Sequence, residues 1–320
     1  MDQSQSQKGI LLACTTAFLW GFLSLAIKYA TNFIPPTTII WARFTIAFIA
    51  MFLYFLWKSP QTLKILIKPP FLLVVATVAL SCNYLGYTMG IDLISPAGAQ
   101  VIIQLGPMLL AVGGVVFFKE QLSRAQLMGF AIVTVGFFLF FRHQVNDLFA
   151  GQEDTFIYGA LWVVFGAVTW ATYALLQKKL VIDHPPQQLN LFLYGLPALL
   201  YIPSTSFTAI GQLDIMGWAL LLFLGLNTLV AYGCLASALK YTEANKVSVI
   251  ITLNPVITFI CLAIMQAFQI EWITVPKMDI FTAFSGLIIL FGVAIVVGSK
   301  KLKKKDLKDK EIKLSETHKE

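Results

Sequence analysis

The chain has 320 residues, 58% hydrophobic and only 12% charged, with a formal net charge of +7 and a mean hydropathy of +0.78. That composition excludes an ordinary soluble domain and predicts a membrane protein. The positive balance does not argue for nucleic acid, because residues 300–320 hold nine lysines against five carboxylates, a tail suited to anionic lipid.

Ten apolar stretches of bilayer-spanning length follow one another at 9–28, 37–57, 70–91, 96–118, 125–142, 156–177, 188–207, 215–239, 246–268 and 279–298. The first has only Lys8 before it and no small-residue cleavage site before the next span, so it reads as a retained helix and not a signal peptide. The runs are continuous and too long for barrel strands, so the fold class is all-α: a polytopic bundle of ten transmembrane helices. Only 143–155 resembles a joint, which divides the chain into 1–142, that linker, 156–298 and a tail at 299–320. Cys14, Cys82, Cys234 and Cys261 all fall inside spans, without CxxC spacing or a histidine cluster. They read as packing residues, and neither metal nor cofactor is expected. A homodimer is compatible with the sequence, but nothing in it argues for one.

With an even number of spans both termini share a side. If that side is the cytoplasm, the inner loops hold Lys58, Lys64, Lys68, Lys119, Arg124, Lys178, Lys179, Lys240 and Lys246, whereas the outer loops hold Lys28, Arg142 and Lys277. The asymmetry follows the positive-inside rule and puts the tail in the cytoplasm.

The sequence also repeats itself. At an offset of 150, Gly9 matches Gly159, Ala17 matches Ala167, Trp20 matches Trp170, Lys28 matches Lys178, and Pro35-Pro36 matches Pro185-Pro186. At an offset of 148, Tyr84 matches Tyr232, Val101-Ile102-Ile103 matches Val249-Ile250-Ile251, Leu105 matches Leu253 and Pro107 matches Pro255. Two duplicated units of five spans each are expected. Five is odd, so the second unit lies upside down relative to the first, the arrangement that underlies alternating access.

Polar and aromatic residues inside spans mark the candidate solute site, because lipid offers them no partner. In the first unit they are Trp20, Ser24, Asn83, Tyr84, Tyr87, Gln100 and Gln104; in the second, Trp170, Tyr173, Tyr232 and Asn254. Any one of them would also serve as interhelical glue, at about 0.6–2 kcal/mol per hydrogen bond. Their recurrence in both units favours a shared cavity for an amphiphilic small molecule. Pro107 and Pro255 are expected to bend their helices and free backbone carbonyls. Arg43 is the charge well inside a span; with Lys28 it is expected to attract a carboxylate-bearing solute at the outer mouth, unless it snorkels to the interface. No aspartate or glutamate lies near mid-membrane, which favours facilitated diffusion or exchange over strong ion coupling.

An intramembrane enzyme would show a catalytic constellation, and His143, His184 and His318 all lie outside the spans. A channel would need no inverted duplication, and a receptor would bind without flux.

Several runs carry a resemblance: AFLWGFLSLAIK from Ala17 to Lys28, Arg43, SPAGA from Ser95 to Ala99, Leu105-Gly106-Pro107, the Lys119-Glu120 turn, Gly129 and Gly136. The second half answers with AVTWATYALLQKK from Ala167 to Lys179, Ala231-Tyr232, Leu253-Asn254-Pro255-Val256 and GLIILFG from Gly286 to Gly292. Together they resemble the EamA family of the drug/metabolite transporter superfamily over about residues 9–298. The resemblance implies a 5+5 inverted repeat around a central cavity, exporting amino acids or other small metabolites across the bacterial inner membrane. Uptake or antiport of a nucleotide-like metabolite such as S-adenosylmethionine is the alternative. One departure stands out: the family glutamate expected at 268 is Phe268, and the nearest carboxylate is Glu271.

Overall fold

The computed structural model describes residues 3–94, 96–140, 142, 154–269 and 280–299. Ser95, most of the linker, residues 270–279 with Glu271 and Lys277, and the basic tail lie outside the described residues. Among the described residues there is no strand. The helices are α1 (Gln3–Thr31), α2 (Pro36–Lys58), α3 (Phe71–Leu93), α4 (Pro96–Ile103), α5 (Leu105–Phe118), α6 (Arg124–Phe140), α7 (Asp154–Leu180), α8 (Pro186–Leu200), α9 (Phe207–Gly211), α10 (Ile215–Tyr241), α11 (Ala244–Ile251), α12 (Asn254–Ala267) and α13 (Ile280–Gly298). Among the described residues seven segments are long and apolar enough to cross a membrane, with α4–α5 and α11–α12 each counting as one; 124–140 and 283–298 form shorter apolar helices.

The span expected at 188–207 ends early. Pro197 stands near the end of α8, and a 3-10 turn at Ile202–Ser204, with Pro203 inside it, follows the helix. At 15 residues, α8 is about 22 Å long.

The two prolines expected to bend continuous helices instead stand in the first turn of new ones. The chain breaks at Gln104 and again at Thr252-Leu253, where Gln104 N donates to Val101 O and Leu253 N to Ile250 O in tight i to i−3 turns. Pro107 and Pro255 then occupy positions whose N–H would have no intrahelical acceptor, so the missing donor costs little.

The repeated lysine and double proline have a local cause. Pro35 and Pro185 are extended, at φ −55° and −62°, and Pro36 and Pro186 take the first position of α2 and α8, where a fixed φ favours the helix. Each lysine reaches across to another helix end. Lys28 Nζ donates to Ile91 O at 3.0 Å and Asp92 O at 2.8 Å at the end of α3. Lys178 Nζ donates to Leu239 O at 2.8 Å and to Thr242 O at the end of α10. A cation there satisfies carbonyls that lack intrahelical donors and complements the helix dipole.

The most extensive helix contacts are α3 with α7, α6 with α13, and α1 with α10. Lipid gives no hydrophobic drive for such pairing, so close approach through small residues supplies the packing energy. A Cβ on Gly86 would lie 2.6 Å from Trp162 O and 2.7 Å from the backbone N of Gly166. In α6 and α13, Gly129 and Gly292 stand in the same relation, each 2.9 Å at Cβ from the other's carbonyl. Outward faces are apolar, with Phe117, Phe138, Phe281 and Leu287 exposed, while Arg43, Asn83, Gln100 and Asn190 are buried. This inside-out distribution fits a lipid solvent.

Gly86→Val should lower both membrane abundance and the apparent Tm in detergent, by an overpacking cost of about 1–3 kcal/mol. Gly211→Val, with nothing within 4 Å of its Cβ, should leave both unchanged. Thermal scanning of the two purified variants checks this.

Candidate functional site

A narrow cavity of about 60 Å³ lies where these elements converge. Residues of α1, α2, α3, α4, α5, α7, α10, α11 and α12 line it, so it belongs to both halves of the chain.

Arg43 is its one charged lining residue and is 2% exposed. Its Nε donates to Thr228 Oγ1 at 3.1 Å, and its guanidinium lies 4.2 Å from the centroid of the Tyr84 ring. Tyr84 OH also donates to Thr228 Oγ1, at 3.2 Å, while Thr228 passes its own hydrogen to Leu224 O at 3.0 Å. The cation is thus held by a hydroxyl and a π face. No carboxylate of the described residues pairs with it.

The aromatic wall is built from residues that the sequence repeat relates. Trp20 meets Trp170 edge-on at 5.9 Å between centroids, and Tyr84 meets Tyr232 at 5.6 Å. Trp20 also packs on Tyr232 at 5.2 Å. Asn83 donates to Gly166 O at 2.9 Å and accepts from Tyr232 OH at 3.5 Å. On the polar wall, Gln104 Nε2 donates to Asn254 Oδ1 at 3.1 Å, across an offset of 150 residues. Three buried polar atoms of the lining have no partner in the protein: Trp20 Nε1, Gln100 Oε1 and Gln104 Oε1.

Of the residues singled out from sequence, Trp20, Arg43, Asn83, Tyr84, Tyr87, Gln100, Gln104, Pro107, Trp170, Tyr232 and Asn254 line this cavity. Ser24, Tyr173, Pro255 and Lys28 do not. Ser24 shares a hydrogen bond with Thr258 at 3.4 Å, and Tyr173 is fully buried behind Tyr232, 5.8 Å away. Lys28 is engaged with the end of α3, as described above. Arg43 does not snorkel; it points into the bundle.

Sequence reasoning missed two hubs. Thr258 donates to Gly21 O at 2.7 Å and accepts from Gln100 Nε2 at 3.4 Å. Its position one turn beyond Asn254 was the available signal. Glu120 is the other. Lys119, at φ 52°, closes α5 in a left-handed turn, with Glu120 N donating to Gly114 O at 3.1 Å. The Glu120 carboxylate then accepts from Ala244 N at 2.8 Å, Asn245 N at 3.1 Å and Asn245 Nδ2 at 2.6 Å, capping α11, and lies 4.0 Å from Lys178 Nζ. One carboxylate therefore joins the α5–α6 turn, the end of α7 and the start of α11.

A model of the EamA-like transporter family matches residues 7–142 and again 157–298. The chain is 31% identical over 293 residues to the Uncharacterized inner membrane transporter YhbE of Escherichia coli (strain K12), with 91% of each protein covered. It is 24% identical over 276 residues to the Probable amino-acid metabolite efflux pump of Salmonella typhimurium, covering 81% of this chain and 87% of that protein. A solved structure described as "Crystal structure of protein" shares the fold, with a TM-score of 0.71, 19% identity, and coverage of 92% of this chain and 98% of that one.

Glu120→Gln and Lys178→Met should each lower the apparent Tm, and the double variant should lose less than the sum. The expected coupling is about 0.5–3 kcal/mol, read from a double-mutant cycle of thermal or denaturant unfolding.

Proposed function

This chain belongs to the EamA-like transporter family, and from that premise we propose that it is a multi-pass inner-membrane carrier exporting amino acids or related carboxylate-bearing metabolites. The observation that carries the substrate class is Arg43, a buried guanidinium with no carboxylate of the described residues beside it, in a cavity lined mainly by aromatic, amide and aliphatic side chains. A fixed buried cation is costly unless something offsets it, and a solute carboxylate is the partner the site lacks. The aromatic wall suits the apolar part of the same solute. Export is the direction carried by family resemblance and by the name of the Salmonella typhimurium relative.

The carrier works by alternating access between two inverted units of five spans, 1–142 and 156–298, joined by 143–155, with the tail at 299–320 on lipid. Two matches to one family model support the duplication. So does the geometry: residues on a two-fold pseudo-axis touch their own counterparts, and Trp20–Trp170 and Tyr84–Tyr232 both do. The reciprocal lysine caps on α3 and α10 obey the same relation. Loop lysines and arginines favour cytoplasmic termini. The lining holds no aspartate or glutamate, which supports exchange or facilitated diffusion.

In proteoliposomes, amino acid loaded on one side should accelerate flux of labelled amino acid from the other, a trans-stimulation that a pore lacks. Arg43→Gln should raise the apparent KM for carboxylate solutes about 10–100-fold, the loss of a charged hydrogen bond, with protein abundance unchanged. An unchanged KM, or preference for nucleosides or sugars in the same panel, would contradict the substrate assignment.

A further inference from the structure

The unpartnered atoms of the polar wall are both acceptors, and their orientation is fixed by neighbours. Gln104 Nε2 donates to the backbone carbonyl of Gln100 at 3.2 Å and to Asn254 Oδ1 at 3.1 Å. A backbone carbonyl only accepts, so the NH₂ end of Gln104 must face it, leaving Oε1 on the other side. For Gln100 the reasoning runs through Thr258. That hydroxyl lies 2.7 Å from Gly21 O and 3.1 Å from Asn254 O, both acceptors, so its hydrogen is committed. Thr258 then accepts from Gln100 Nε2 at 3.4 Å, and the Gln100 amide turns its Oε1 away as well.

The result is two carbonyl oxygens, one on α4 and one at the break that follows it, on residues 1% and 3% exposed, both without a donor among the described residues, in the lining that also contains Arg43. A buried acceptor left without a donor is destabilising, and two in one lining make a local negative pole. The group that answers both oxygens at once is a compact cation with several donors.

We infer that Gln100 Oε1 and Gln104 Oε1 form the subsite for the primary ammonium of the transported solute. The inference rests on the carrier reading, in which Arg43 takes the carboxylate. The cavity lining then holds a positive and a negative pole together with aromatic rings, and it selects zwitterionic α-amino acids over simple carboxylates. Gln100 and Gln104 are specificity determinants in this scheme, and Thr258 and Asn254 are positioning residues that hold the amides in register. Loss of the ammonium leaves two orphan acceptors in the complex, so discrimination against desamino analogues is strong by nature.

The test is counterflow into proteoliposomes with labelled L-phenylalanine, competed by unlabelled L-phenylalanine, 3-phenylpropionate, which lacks the ammonium, and phenethylamine, which lacks the carboxylate. On the wild-type protein 3-phenylpropionate should compete at least about tenfold more weakly than the amino acid, a ratio that needs no variant. In Gln100→Met and Gln104→Met that ratio should collapse toward one, while Arg43→Gln should keep it and weaken the carboxylate-bearing competitors together. Equal competition by 3-phenylpropionate on the wild-type protein, with flux intact, overturns the ammonium subsite and leaves the carrier reading standing. Absence of trans-stimulated flux for the twenty L-amino acids overturns both. Affinity that depends on Na⁺ in the wild type, against choline chloride, and loses that dependence in Gln104→Met would assign the oxygens to a metal cation and overturn the ammonium assignment.

Discussion

Lipid supplies no hydrogen-bond partner, and most features of this chain follow from that. Every backbone donor and carbonyl at a helix end, and every polar side chain within a span, has to be answered by the protein itself. Lys28 and Lys178 answer the last carbonyls of α3 and α10; Glu120 answers the first N–H groups of α11. The breaks at Gln104 and at Thr252-Leu253 are tolerated because they face the protein interior, next to the polar cavity, and not the acyl chains. Some buried polar atoms stay unanswered elsewhere in the bundle, such as Thr88 Oγ1 and Asn227 Oδ1, but three of them, Trp20 Nε1 and the two glutamine oxygens, line that cavity together with Arg43.

Unanswered acceptors sharing one lining with a buried cation are what mark a binding site against interhelical glue. Glue is for the most part satisfied internally, as Asn190 is by donating to Tyr232 O and Gln187 Oε1 and accepting from Gln177 Nε2. A solute site keeps donors and acceptors in reserve, at a cost in stability that binding offsets. Arg43 follows both rules. Its Nε and one π face are committed within the protein, and no carboxylate of the described residues neutralises it. The arrangement suits a solute that brings its own negative charge and is released when the cavity changes sides.

Much of this was legible in the sequence, for physical reasons. Long apolar runs reveal spans because the bilayer fixes their length, and the Lys28 and Lys178 punctuation is visible because each Pro-Pro starts a helix whose preceding lysine caps another. Most cavity residues were found because polarity inside a span is costly. Helical phase was harder to read: Ser24 lies one turn from Trp20 but faces Thr258, and Tyr173 lies behind Tyr232. Pro107 and Pro255 were recognisable, but the sequence did not reveal that the helix restarts three or fewer residues before them. Thr258 and Glu120 act through partners 158 and 124 residues away, a relation that a single chain pattern does not carry.

The central claim is that two like units lie antiparallel in the membrane around one cavity. Asn32 and Ile182, both exposed in the turns after α1 and α7, are at matching places in the repeat. With Cys14, Cys82, Cys234 and Cys261 replaced, single cysteines at residues 32 and 182 can be treated with a membrane-impermeant thiol reagent in intact cells and in inverted vesicles. The account predicts labelling of Asn32→Cys from outside and of Ile182→Cys only from the cytoplasmic face; labelling of both from one face would contradict it.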